Sequence, residues 1–194
     1  MKLLIFFLLR GTVTFILTFV IFSLLRTYFF KSLKKHSNSK REFILSLFAG
    51  YVAVMCLFLF MPNAFLAHKG IDLSSENFDF VGDFKDRISQ GNWGVNLVPF
   101  KTIRSYIRYS GFFHSFTNIF GNILIFIPMG FMIPVLYKDM RDLKKILIFL
   151  SLISILIETV QFFVGRSVDI DDFILNVLGG SIGYLIYKLR SKSI

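Results

Sequence analysis

Residues 158–176 read ETVQFFVGRSVDIDDFILN. A glutamate, a glutamine, an arginine, three aspartates and an asparagine stand there between apolar runs long enough to cross a bilayer. Charge at that depth is costly unless it is paired within protein, so the stretch marks a junction between two helices and predicts a polar cluster enclosed by a bundle.

Working outward, the rest of the chain supports a membrane setting. Of its 194 residues 55% are hydrophobic and 26 are phenylalanine, and the mean hydropathy is +0.66, more apolar surface than one modest soluble core can hide. A spanning helix needs roughly 20 apolar residues. Such runs lie at Leu3–Leu25, Phe43–Met61, Phe116–Tyr137, Ile146–Val164 and Phe173–Leu189. The expected fold is therefore all-α: a polytopic membrane helical bundle of about five transmembrane helices, forming one integral membrane domain over 1–194. The first run follows Lys2 but extends well past a signal-peptide core and is succeeded by further spans, so it is read as part of the mature protein.

Charge sets the expected direction. Residues 27–42 carry Lys31, Lys34, Lys35, Lys40 and Arg41 against Glu42 alone, residues 138–145 hold four bases against two acids, and the tail adds Lys188, Arg190 and Lys192. The positive-inside rule makes these segments cytoplasmic, with the N-terminus outside and the C-terminus inside. The net charge of +10 follows from that arrangement, and with no aromatic platform or soluble basic domain a nucleic-acid partner is not expected. Cys56 stands alone within the second span and reads as a packing residue.

The long outer segment, 62–115, divides in two. Residues 62–90 lack periodicity, whereas residues 91–109, GNWGVNLVPFKTIRSYIRY, bring Trp93, Phe100, Tyr106 and Tyr109 to a membrane boundary. Ile103 and Ile107 are four apart, and Lys101, Arg104 and Arg108 form a basic side, the pattern of a short interfacial helix. Residues 96–100 read as a fixed turn into it, with Pro99 able to open the helix. A re-entrant dip there would bring Asn96 towards the outer ends of the third, fourth and fifth spans, provided its backbone is covered by protein.

Polar residues on the spans complete the candidate site. Asn118 and Asn122 share a helical face, as do Glu158 and Gln161, and Arg166 follows in the turn. Asp169, Asp172 and Asn176 share a face if the last helix begins near Asp169; if it begins at Asp171, that residue caps it. Glu158, Asp169 and Asp172 are the candidate catalytic groups, with Glu158 as general acid or base. Together they could instead offer carboxylate oxygens to a hard cation such as Mg²⁺, although no histidine sits among them. Asn96, Asn118, Asn122, Gln161, Arg166 and Asn176 are the candidate ligand-binding groups, Arg166 suited to phosphate or carboxylate. Interhelical hydrogen bonding alone is the competing reading of the asparagines. Gly179 and Gly183 read as a close-packing strip, suited to the third span with its Gly121 and Gly130, and not as a nucleotide loop.

With these residues in view, the chain resembles the VanZ-like family of bacterial membrane proteins. The resemblance rests on Asn96–Phe100, on residues 118–122 continuing to Phe126, Pro128 and Gly130, on Glu158 and Gln161, and on Arg166, Asp169, Asp172, Asn176, Gly179 and Gly183 in that order. It defines a family-like core over 96–189. It implies a multi-pass protein of the bacterial cell membrane and, for the family's namesake, reduced sensitivity to teicoplanin. Read with the polar cluster, it implies a protein that meets membrane lipid and binds or modifies a lipid-linked cell-wall precursor. The alternatives are a non-catalytic scaffold or binding protein, and a carrier of an amphipathic envelope substrate, for which no inverted repeat with broken spans is evident.

Overall fold

A computed structural model describes residues 2–35, 37–60, 94–109, 111–163 and 168–191. The expected segment 62–90, Trp93 and Arg166 lie outside the described residues, and the side chains of Tyr106, Tyr109 and Asn118 are not among those described. Contacts divide the chain into two compact units, one holding residues 1–61 and the other most of the remainder.

The first unit is a helical hairpin. Helix α1 (Lys2–Tyr28) and helix α3 (Ser39–Phe60) are joined through a short α2 (Lys31–Lys35). Helix α3 begins four residues before its apolar run, because the Asn38 side chain accepts the Arg41 amide at 2.8 Å and caps the start. The helices lie close where residues are small: a Cβ on Gly50 would stand 3.1 Å from the Phe15 carbonyl oxygen, and one on Gly11 would stand 2.9 Å from the Phe58 ring. At the other end of the hairpin Arg26 donates twice to the Glu42 carboxylate, at 2.6 and 2.9 Å, with both side chains largely buried. This bidentate geometry is the strong form of an ion pair and fixes the register of the two helices.

The second unit carries the polar cluster. A two-residue strand β1 (Val95–Asn96) and a short helix α4 (Lys101–Tyr109) precede three long helices, α5 (Gly111–Leu136), α6 (Leu143–Phe163) and α7 (Ile170–Ser191). A 3₁₀ turn (Lys138–Met140) links α5 to α6, where Asp142 caps the next helix by accepting the Lys144 and Lys145 amides. Strand β2 (Val168–Asp169) pairs in parallel with β1, setting Asn96 opposite Asp169. The hydrophobic reading does not foresee this bridge, since two residues make no periodic pattern.

Glycine sets the core of this unit. A Cβ on Gly179 would lie 2.1 Å from the Ile123 carbonyl oxygen, and one on Gly183 would lie 2.0 Å from that of Ile127. Gly130 meets the Gly180 backbone as closely. These pairs advance together along both chains, so α5 and α7 run parallel in backbone contact, while α6 runs back between their ends. In a solvent of hydrocarbon, such close backbone approach provides the dispersion contact that the hydrophobic effect cannot. Gly121, expected to join this strip, lies outside it: a Cβ added there would meet nothing within 4 Å.

Burial is arranged as a membrane demands. Leu124, Ile148, Leu152, Ile155 and Leu156 are exposed on the outside, while Ser154, Gln161 and Asn176 are buried within. Among the described residues, Leu8–Tyr28, Ser39–Phe60, Ile119–Leu136 and Leu143–Phe163 are long and apolar enough to cross a membrane. The expected fifth span forms helix α7, 22 residues long, which is not among these four; it carries Asp171 and Asp172 in its first turn and Lys188 and Arg190 in its last. Tyr184 secures its far end by donating to the Arg141 carbonyl at 2.8 Å.

The glycine contact predicts that Gly179→Leu forces α5 and α7 apart, at a cost of about 3 kcal/mol or more. Thermal unfolding of the detergent-solubilised chain should fall accordingly. Gly121→Ala, which meets no neighbour, should leave it unchanged or slightly raised.

Candidate functional site

The site begins with a problem of unsatisfied amides. The first N–H groups of any helix have no partner within it. Helix α4 starts directly after the turn at residues 98–100, where Phe100 adopts φ 62° and Lys101 N–H donates to the Val98 carbonyl at 3.3 Å. Pro99 thus lies in the turn and does not open the helix. The cap comes from across the fold: Asp171 Oδ2 accepts the N–H groups of Thr102 at 2.8 Å and Ile103 at 3.0 Å, and Oδ1 accepts that of Phe100. Asp171 is 1% exposed, so one buried carboxylate is held by three backbone donors.

The cap of α7 itself is Asp169. Its Oδ1 accepts the Asp171 N–H at 2.9 Å, the geometry of an N-cap bonded to the second residue of its helix. This corrects the reading of Asp171 as the cap of its own helix. The same oxygen accepts Asn96 Nδ2 at 3.1 Å, and Asp169 N–H donates to Glu158 Oε2 at 3.1 Å. Asn96 in turn bonds Thr102 Oγ1 at 2.9 Å and, through its Oδ1, the Val98 N–H at 3.2 Å. Buried Glu158, Asp169 and Asp171 and half-buried Asn96 therefore form one hydrogen-bonded knot joining α6, β2, α7, β1 and α4.

The other expected residues take different neighbours. Asn122 Nδ2 donates to Asp172 Oδ1 at 2.6 Å, linking α5 to the first turn of α7 beside the knot. Asn176 Nδ2 donates to Ser154 Oγ at 3.0 Å, linking α7 to α6, and its buried Oδ1 accepts no hydrogen bond among the described residues. Gln161 is buried on the same helix as Glu158. Asp169 thus lies on β2 just ahead of α7, while Asp172 and Asn176, four apart on α7, bond different elements, α5 and α6. Among the described residues no group of three histidine, cysteine, aspartate or glutamate side chains is arranged to hold a metal ion.

Two contributors, Ser154 and Thr102, escape a reading by charge. A hydroxyl four residues before Glu158 on an otherwise apolar helix face was the available sign of the first. Thr102 carries no such sign, because its partner lies on a strand formed only in the fold.

Beside the knot, a cleft of about 360 Å³ opens between α6 and the start of α7. Its wall is apolar, built by Leu97, Ile155, Phe162, Phe163 and Phe173, with Thr159 at the rim and Glu158 and Asp169 behind.

Parallel glycine-packed helices, an apolar exterior and a capped polar knot at one end define a membrane helical bundle with an enclosed polar site. The chain belongs to the VanZ/LLP1 family, whose model matches residues 48–191. Protein VanZ of Enterococcus faecium is 35% identical over 99 residues, a match covering 50% of this chain and 55% of that protein. The chain thus spans about half the length of this curated relative. No solved structure matches the chain.

The remote cap makes a residue-level forecast. Asp171→Ala leaves three part-buried amide donors without this acceptor, a loss on the order of 2 kcal/mol. Hydrogen exchange should quicken at Phe100, Thr102 and Ile103, while the α5–α7 contact around Ile127 and Gly183 keeps its protection.

Proposed function

We propose that this VanZ-like protein is a multi-pass protein of the bacterial cell envelope that binds a lipid-linked cell-wall precursor at the outer end of α5–α7 and lowers teicoplanin susceptibility. The carrying observation is the knot of Asn96, Glu158, Asp169 and Asp171 beside an apolar cleft, in a chain 35% identical over 99 residues to protein VanZ. An amphiphile needs both surfaces: polar groups for its head and an apolar wall for its chain.

The proposed orientation sets the N-terminus outside and the C-terminus in the cytoplasm. Within the second unit, Tyr184 ties α7 to Arg141, so the basic turn 138–145 and the basic end of α7 lie at one pole and the knot at the other. The positive-inside rule then assigns the knot to the outer leaflet.

Binding is preferred to modification because the oxygens of Asp169 and Asp171 described above already serve as acceptors for the chain's own donors. Modification remains the second reading through Glu158, which lines the cleft and would act as general acid or base. Scaffold and carrier roles gain no particular support from this arrangement.

A deletion strain complemented with the wild-type chain should show lower teicoplanin susceptibility than the empty-vector strain. Asp172→Asn and Arg166→Lys, at equal membrane abundance, should lose that protection, whereas Glu158→Gln should retain it if the protein only binds and lose it if protonation is required. Identical susceptibility in every strain would overturn the proposed function.

A further inference from the structure

We infer that the cleft between α6 and the start of α7 holds one hydrocarbon chain of a lipid whose phosphate head rests on the cationic face of α4. This inference rests on the proposed reading of the site and names the ligand chemistry that the site selects.

The chain half of the site is a wall without hydrogen-bonding demands. Leu97, Phe163 and Ile155 are 70%, 62% and 53% exposed, so the cleft is open along its side. That opening is continuous with the exposed Leu152 and Leu156 on α6, the strip this helix turns towards hydrocarbon. A chain can therefore enter laterally from the bilayer without crossing water. The volume of about 360 Å³ lies at the lower end of ligand-pocket sizes, suiting a chain segment better than a sugar-bearing head.

The head half lies on α4. Lys101, Arg104 and Arg108 are exposed and spaced three and four apart, so they form one stripe, and none makes an ion pair among the described residues. Residues 94–109 contain no acid, and the nearby Asp169 and Asp171 are buried and directed at amides. The charge is therefore unmatched within this segment and complements an anion. The helix N-terminus is not the anion site, because Asp171 already occupies it. Leu97 joins the halves: it walls the cleft and stands four residues before Lys101, in a turn whose Val98 and Phe100 are also exposed. A basic stripe flanked by exposed apolar residues matches the boundary between phosphate heads and acyl chains.

The test uses the full chain in phosphatidylcholine nanodiscs with trace diazirine-bearing lipids of identical acyl chain, one phosphate-headed and one phosphocholine-headed. Cross-linked peptides are mapped by mass spectrometry. The phosphate-headed probe should label residues 155–163 and 173 about tenfold more than the phosphocholine probe, and unlabelled phosphatidic acid should compete. Thr159→Trp, at an exposed rim position, should abolish this labelling while labelling of α1 continues. Arg104→Gln with Arg108→Gln should remove the preference between heads. Equal, uncompeted labelling by both probes, or labelling unchanged by Thr159→Trp, would overturn the inference; so would competition by inorganic phosphate but not by phosphatidic acid. Selective labelling without any teicoplanin phenotype would sink the proposed function alone, and a phenotype without selective labelling would sink this inference alone.

Discussion

The first amides of a helix have no partner within it and must find acceptors elsewhere. In this bundle that constraint falls on α4, and Asp171 meets it from the start of a different helix. The consequence extends beyond one cap. To reach α4, Asp171 must sit in the first turn of α7; to begin α7 there, Asp169 must cap it; and to orient Asp169, Asn96 and Glu158 must approach from both sides. The polar knot is thus first of all a solution to backbone hydrogen bonding. Whatever chemistry it supports uses groups already held in place.

The glycine seam between α5 and α7 supplies the complementary constraint. Backbone contact at Gly130, Gly179 and Gly183 leaves no room for sliding, so the depth of Asn122 relative to Asp172 is fixed by the same packing that stabilises the pair of helices. Helix α6 then closes the unit, with Leu150 against Gly180 and Ser154 against Asn176. The outward faces are apolar, and the interior combines buried apolar side chains such as Phe126, Ile146 and Leu150 with the small and polar residues of the seam. Under those conditions specificity comes from shape and hydrogen bonds rather than from hiding hydrophobic surface.

Much of this architecture is legible in the chain. Apolar runs locate every long helix, the spacing of Gly179 and Gly183 announces the seam, and residues 158–176 announce the cluster. Helix starts are less legible, because hydropathy measures transfer into hydrocarbon whereas a start is set by its cap: Asn38, Asp142 and Asp169 each begin a helix three or four residues before its apolar run. The bond from Phe100 to Asp171 spans 71 positions and leaves no periodic trace. For the same reason the sequence does not show that Asp169, Asp172 and Asn176 bond β1, α5 and α6 respectively.

The remote cap also bears on how the protein is made. Synthesis proceeds from the N-terminus, so α4 leaves the ribosome well before the residue that satisfies its amides. Throughout that interval α4 has donors exposed and no acceptor from its own unit, and only the arrival of the last helix closes the structure. A nascent chain halted before Asp171 therefore carries the basic helix and the long helices that precede α7 but lacks the carboxylate that joins them.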